Sequence, residues 1–274
     1  MTFSIVARSD DGETWGVAVA SKFLAVGSAV PAAVAGVGAI ATQAWANVSY
    51  KGLALAHLDE GATAQVALDR LLEEDDGRDH RQVGLVDVEG SAAAHTGAEC
   101  IDWAGHRTGE GYAVQGNCLT GPEVVEAVES AWLAGAEQPF AVRLLAALRA
   151  GDDAGGDKRG RQSAAMLVVR EEAGYGGFDD IAVDLRVDDH TAPVTEMERL
   201  LALHDLYLTA STPQEQVPVD EELRAEIEAY ARGAGHPDAA TWVGSENYEM
   251  RVADDLSWID RRVLAVVRGE GAGA

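Results

Sequence analysis

The sequence predicts an α+β protein: antiparallel sheets whose outer faces carry helices. Strands arrive in hairpins that open and close the main part of the chain, instead of alternating one by one with helices. Helix pairs follow the third and the sixth strand. With 274 residues and 47% hydrophobic side chains, the chain can bury one large core, or one core and a small appendage.

The first strand begins at once: Phe3, Ile5 and Ala7 alternate with Thr2, Ser4 and Val6, the period of two of a sheet strand. Asp10-Asp11-Gly12-Glu13 forms a turn. A second strand over 14–21 sets Trp15, Val17 and Val19 on one face, and Gly16, Ala18, Ala20 and then Lys22 on the other. Small side chains on that second face leave room for another group to approach, which makes Lys22 a candidate functional residue. A third strand is expected over 39–44. Residues 51–60 and 64–74 read as two helices, the second N-capped by Thr63 with Val66, Ala67, Leu71 and Leu72 along an apolar stripe.

A hairpin over 82–88 and 91–96 turns about Glu89-Gly90 and closes at His95-Thr96-Gly97. His95, at a strand end, is either an acid or ligand or a hydrogen-bonded structural residue. A strand over 112–115 runs into Gly116-Asn117 and then Thr120 and Glu123, spaced as a capping box for the next helix. On such a strand-to-helix turn Asn117 either aims an amide donor at an anion or takes the left-handed turn conformation. Pro139 suits the first turn of a further helix. Residues 151–161 read as a flexible Gly-, Asp- and Arg-rich loop, and strands over 164–170 and 181–187 pair before a helix over 194–209. From Ser211 the texture changes: 212–218 reads as a linker and the rest as short helices. We expect a main domain over 1–211 and a small helical module over 212–274, too short to hold much of a core by itself.

Charge and motifs exclude several function classes. A formal charge of −25 argues against a nucleic-acid partner, which needs clustered Lys and Arg. Lysine stands only at 22, 51 and 158, a bias that fits adaptation to high salt. The longest apolar run, 23–46, is broken by Gly27, Ser28, Pro31, Gly36, Gly38, Thr42 and Gln43, so no membrane span is expected. The start lacks a basic region and a continuous apolar core, so no export signal and a cytoplasmic location are expected. Two cysteines, Cys100 and Cys118, read as small buried residues rather than a disulfide framework. Gly36-Val37-Gly38 matches part of a dinucleotide-binding spacing, but Pro31 interrupts the strand that motif needs and 39–44 is a strand where it needs a helix. Asp188-Asp189-His190 lacks a second ligand cluster at metal spacing. No cofactor and no metal are expected.

Thr2 carries the chemistry of interest. Once Met1 is removed, its hydroxyl and a free α-amine share one residue, and an unperturbed α-amine titrates near ~8 against ~10 for Lys, which suits a general base. The downstream blocks sharpen this: residues 1–8, Gly16 to Phe23, Ala41-Thr42-Gln43, Ala94-His95-Thr96-Gly97, Ala113 to Asn117, Gly155 to Ala164 and Asp184 to His190 together resemble the domain-of-unknown-function family 1028, placed among the N-terminal-nucleophile hydrolases. The resemblance covers about residues 1–210. The tail from Pro218 more weakly resembles a small module labelled peptidoglycan-binding.

The resemblance implies a four-layer αββα sandwich and puts the nucleophile on Thr2. It makes Lys22 a group that lowers the amine's pKa and orients Thr2, and makes Asn117, with backbone N–H groups near Gly116, the oxyanion donors. Thr42, Gln43, His95, Asp157, Arg159, Gln162 and Ser163 are then candidates for the substrate rim. The expected function is an amidohydrolase cleaving a small, non-peptide amide or ureido C–N bond, with a small-molecule substrate and a homo-oligomeric state. The alternative is a non-catalytic binding or scaffold protein that keeps the fold. Cys118 stands where the resemblance leads one to expect Met.

Overall fold

The computed structural model describes residues 2–270. The chain divides into two compact units, Met1–Glu198 and Arg199–Ala274. In the first, β1 (Thr2–Arg8) and β2 (Thr14–Ser21) form the opening hairpin. A short α1 (Val26–Ala29), β3 (Pro31–Val34) and β4 (Gly38–Ala44) follow, then α2 (Tyr50–Asp59) and α3 (Ala64–Glu73). Next come β5 (Arg81–Asp87), β6 (Ala92–Thr96), β7 (Gly105–Gly109) and β8 (Tyr112–Asn117). The helices α4 (Glu123–Ala134) and α5 (Phe140–Asp153) precede β9 (Ser163–Arg170), β10 (Ile181–Val187) and α6 (Pro193–Leu208).

Two antiparallel sheets result, one of order β10-β9-β2-β1-β8-β7 and one of order β3-β4-β5-β6. The alternation in β1 and β2 decides how they stack. Val6, Trp15, Val17 and Val19 share a core with Val26, Val30, Ala39, Ala41 and Val86, so one face of the six-stranded sheet packs on the four-stranded one. The opposite face takes α5: a Cβ on Gly16 would meet Leu144 Cδ1 at 2.8 Å and Phe140 Cε1 at 2.9 Å. On the far side of the second sheet, Leu58, Leu68 and Leu71 of α2 and α3 pack with Ile40, Val83 and Leu85. This is an α+β fold with helices outside and two sheets face to face within.

Several local expectations need correction. The face of Gly16, Ala18 and Ala20 is small because α5 lies on it, not because a ligand approaches. Gly36, at φ 70°, turns β3 into β4, and Pro31 starts β3 on a sheet edge, where its missing N–H costs nothing. The strand β7 has only Gly, His, Arg and Thr, no apolar alternation, and was not legible. The capping box at Thr120 and Glu123 does not form: α4 starts after Pro122 with no side-chain cap, and the Thr120 N–H goes to Gly156 O. Residues 151–161 are tied down rather than loose. Arg161 Nε donates to both oxygens of buried Asp152, at 2.7 and 2.9 Å, and a Cβ on Gly151 would meet Val128 and Phe3.

The second unit has its own core, contrary to the expectation from its length. The last turns of α6 supply Leu206 and Tyr207. These pack with Ile227 of α7 (Glu221–Gly233), Trp242 of α8 (Ala239–Ser245) and Val263 of α9 (Arg261–Val267). The division therefore falls inside α6, upstream of the change in composition at 211. Part of the supposed linker is a strand, β11 (Gln216–Pro218), paired with β12 (Trp258–Asp260). Among the described residues no helix is long and apolar enough to cross a membrane.

Candidate active site

Strand parity places Thr2 and Ser4 on the face of β1 that meets the second sheet. Register places Thr2 between two polar neighbours, opposite Ser21 in β2 and opposite Asn117 in β8. The Thr2 and Ser21 hydroxyls share a 3.0 Å hydrogen bond. Behind them lies a buried amide network joining the two sheets. Ser4 Oγ donates to Gln43 Oε1 at 2.7 Å and accepts from Gln115 Nε2 at 2.7 Å. Gln82 Oε1 accepts from Gln43 Nε2 and from Asn117 Nδ2, both at 2.8 Å, and Gln82 Nε2 donates to Gly116 O at 2.7 Å and Thr96 Oγ at 2.9 Å. The Thr2 carbonyl accepts from Gln43 Nε2 at 3.3 Å and Asn117 Nδ2 at 3.5 Å. Among the described residues Gln115 Oε1 is the one network atom without a hydrogen-bond partner; the paired groups fix the arrangement of the strands that carry them. Glycine is required beside the network: a Cβ on Gly84 would lie 1.9 Å from Gln115 Oε1.

Thr2, Gln43 and Asn117 form the polar part of a cavity of about 450 Å³, together with Arg159, Glu99 and His80. Its apolar wall comes from α1 and the residue after it (Val26, Ala29, Val30), from the loop after β4 (Trp45, Ala46, Val48), and from Phe23 and Ile101. Both wall segments are fastened. Ser163 Oγ accepts from the Val26 N–H at 3.1 Å and donates to Phe23 O, holding a turn in which Ala25 takes φ 52°. Arg81 Nη1 donates to Trp45 O at 2.6 Å while Asp75 grips its Nε at 2.8 Å.

The Asp75 cluster sets the pH range over which that loop is held. The Arg81 guanidinium holds the Asp75 carboxyl well below the usual carboxylate range, and hydrogen bonds from Tyr50, Gly77 and Asn47 add to this. A carboxyl depressed on folding contributes stability that is complete above its unfolded value near ~3.9 and is lost as pH falls through the folded value. Asp75→Asn should cost about 2 kcal/mol at pH 7. In urea unfolding the gap between variant and wild type should narrow steadily below about pH 4; a gap equal at pH 7 and pH 3 would contradict this.

The other expected site residues fall as follows. Asp157 is buried and holds rather than lines. Its carboxylate accepts from Arg159 Nε at 3.1 Å, from Arg159 Nη2 at 2.8 Å and from the Lys22 N–H at 2.9 Å. The Lys22 side chain is exposed and does not line the cavity; the residue of β2 beside Thr2 is Ser21. Thr42 points away from Gln43 and donates to Asn47 O at 3.2 Å. The His95 ring meets Arg78 O at 3.0 Å and Gln162 donates to Asp189 at 3.1 Å, both away from the cavity. Asn117 ends β8 instead of lying on a turn, and Cys118, at φ 51°, takes the left-handed position. Backbone donors there are in use: the Cys118 N–H goes to Ile101 O and the Leu119 N–H to Trp103 O. Cys100 and Cys118 are both free, and burial pushes the Cys100 thiol up.

Ser21, Gln82 and Gln115 were missed by sequence reasoning. One signal was present: Gln115 interrupts the apolar alternation of β8 on the inward parity, as Ser4 does in β1. Among the described residues no group of three or more His, Cys, Asp or Glu is arranged to hold a metal ion.

Comparison with known proteins gives a family and no activity. No curated protein matches the chain. Among solved structures, protein SPO2555 from Silicibacter pomeroyi is 33% identical, with a TM-score of 0.68 over 74% of this chain and 89% of that one. Anbu (ancestral beta-subunit) from Yersinia bercovieri matches over 77% of this chain and 99% of its own, with 10% identity and a TM-score of 0.34, too distant to argue from. A family model matches residues 2–197, which leaves the second unit outside it. The chain belongs to that family, DUF1028, a family of unknown function.

Proposed function

We propose that the protein is an N-terminal-nucleophile amidohydrolase of αββα type, acting through Thr2 on a small non-peptide C–N bond. The observation that carries this is the position of Thr2, buried between β2 and β8 with its hydroxyl on that of Ser21, yet lining a cavity of about 450 Å³, a ligand's size. Met1, whose removal the reading requires, lies outside the described residues.

In the first half-reaction Thr2 Oγ bonds to the carbonyl carbon, its proton passes to the Thr2 α-amine, and the amine delivers that proton to the leaving nitrogen as the C–N bond breaks. In the second, water gives a proton to the α-amine and its oxygen to the acyl carbon; the ester C–Oγ bond then breaks and the amine returns that proton to Thr2 Oγ as the carboxylic acid leaves. Gln43 and Asn117, bonded to the Thr2 carbonyl, position the nucleophile. Arg159 lines the same cavity with its guanidinium held by both oxygens of Asp157. An acylating probe such as a β-lactone should leave one adduct, mapped by peptide mass to residue 2. An adduct elsewhere with residue 2 unmodified would remove Thr2 as the nucleophile.

A further inference from the structure

The cavity wall points to the substrate class. We infer that the substrate is an amide whose acyl side is an apolar chain or ring, an inference that rests on the amidohydrolase reading above. The wall offers Val26, Ala29, Val30 and Val48 with the rings of Phe23 and Trp45, and none of these carries a charge. It is also preformed, because Ser163 holds the Phe23–Val26 turn and Arg81 holds the Trp45 carbonyl. Trp45 is 75% and Phe23 53% exposed, so apolar surface remains at the rim for a ligand to cover.

An anionic acyl group fits poorly. The Arg159 guanidinium is already matched by both oxygens of Asp157, and Glu99 lines the same space as a like charge. The acyl side is favoured over the amine side by the order of events. The amine leaves first, whereas the acyl group must stay bound and shielded until water attacks.

The test holds the leaving group constant as ammonia and lengthens the acyl chain. Acetamide, butyramide and hexanamide are titrated calorimetrically into the full chain, and ammonia release and acyl adducts on residue 2 are measured in parallel. N-butylacetamide, an isomer of hexanamide, carries the same added carbons on the amine side. Each buried methylene should tighten binding about fourfold, so hexanamide should bind on the order of 10²-fold better than acetamide and clearly better than N-butylacetamide. Ala29→Phe, which fills the wall, should flatten the series. A flat series in the wild type, or N-butylacetamide equal to hexanamide, overturns the acyl assignment even if ammonia is released. A steep series with no ammonia and no adduct supports the apolar acyl pocket and overturns the hydrolase reading.

Discussion

Replacing Thr2 by Ala should reduce amide hydrolysis by at least about 10⁴-fold and abolish acyl labelling of residue 2, while Thr2→Ser keeps the greater part of both. The Ala variant retains an α-amine, the Gln43 and Asn117 contacts to the residue 2 carbonyl and the whole cavity wall. What it loses is the nucleophile and one hydroxyl contact to Ser21. That contact is worth only about 1 kcal/mol, so the loss of activity should come without unfolding. Unchanged circular dichroism and a small change in melting temperature would separate the two causes. Equal turnover by wild type and Thr2→Ala, with residue 2 confirmed as N-terminal in both, would give the nucleophile to another group, and Ser21 would be the nearest hydroxyl.

The second large effect is expected in the other unit. Arg251 is 1% exposed as a side chain and meets Asp260, 0% exposed, at 2.9 Å. It also donates to Leu206 O at 3.0 Å and to Asp205 O. Asp260 in turn caps α9, accepting from the Arg262 N–H at 2.8 Å, and accepts from Ser211 Oγ at 2.7 Å. Burial pushes the Asp260 carboxyl up, but these hydrogen bonds and the Arg251 charge outweigh it and hold the carboxyl below its ordinary value. Arg251→Met takes the nearer cation from that buried carboxylate and leaves only Arg262 Nε, at 3.5 Å, a loss of about 3–5 kcal/mol. Amide exchange in α7, α8 and α9 should then quicken roughly 10²–10⁴-fold. Exchange in β1, β2 and β9 should not change, since the Arg251 contacts described here all lie in the second unit. Adding Asp260→Asn should recover much of the loss, because removing a buried pair costs less than breaking it. Exchange in the single variant equal to wild type would mean that this pair does not hold the unit together.

How far the sequence carried this account depended on whether a signal was local. Hairpins were legible because β1, β2 and β10 alternate in period two and β5, β6 and β9 are short runs bounded by turn residues, and α3 was legible from Thr63 and its apolar stripe. The hidden strands were β3, which starts at Pro31, β7, which has no apolar alternation, and the short pair β11 and β12. The site divided in the same way. Thr2, Gln43, Asn117 and Arg159 were expected and line one cavity. Lys22 was expected because its strand face is small, but that face belongs to α5, and parity gives the place beside Thr2 to Ser21. Gln82 and Gln115 could be found only by knowing that two sheets meet there, since their partners lie 14 to 111 positions away. The independent core of the second unit was hidden because it draws Leu206 and Tyr207 from a helix assigned to the main domain.

The claim on which the rest depends is that Thr2 has a free α-amine in the working protein, and the intact mass of the purified full chain tests it directly. The account predicts a mass lower by one methionine residue and an N-terminal sequence beginning Thr-Phe-Ser. A protein that hydrolyses amides while retaining Met1 would contradict it.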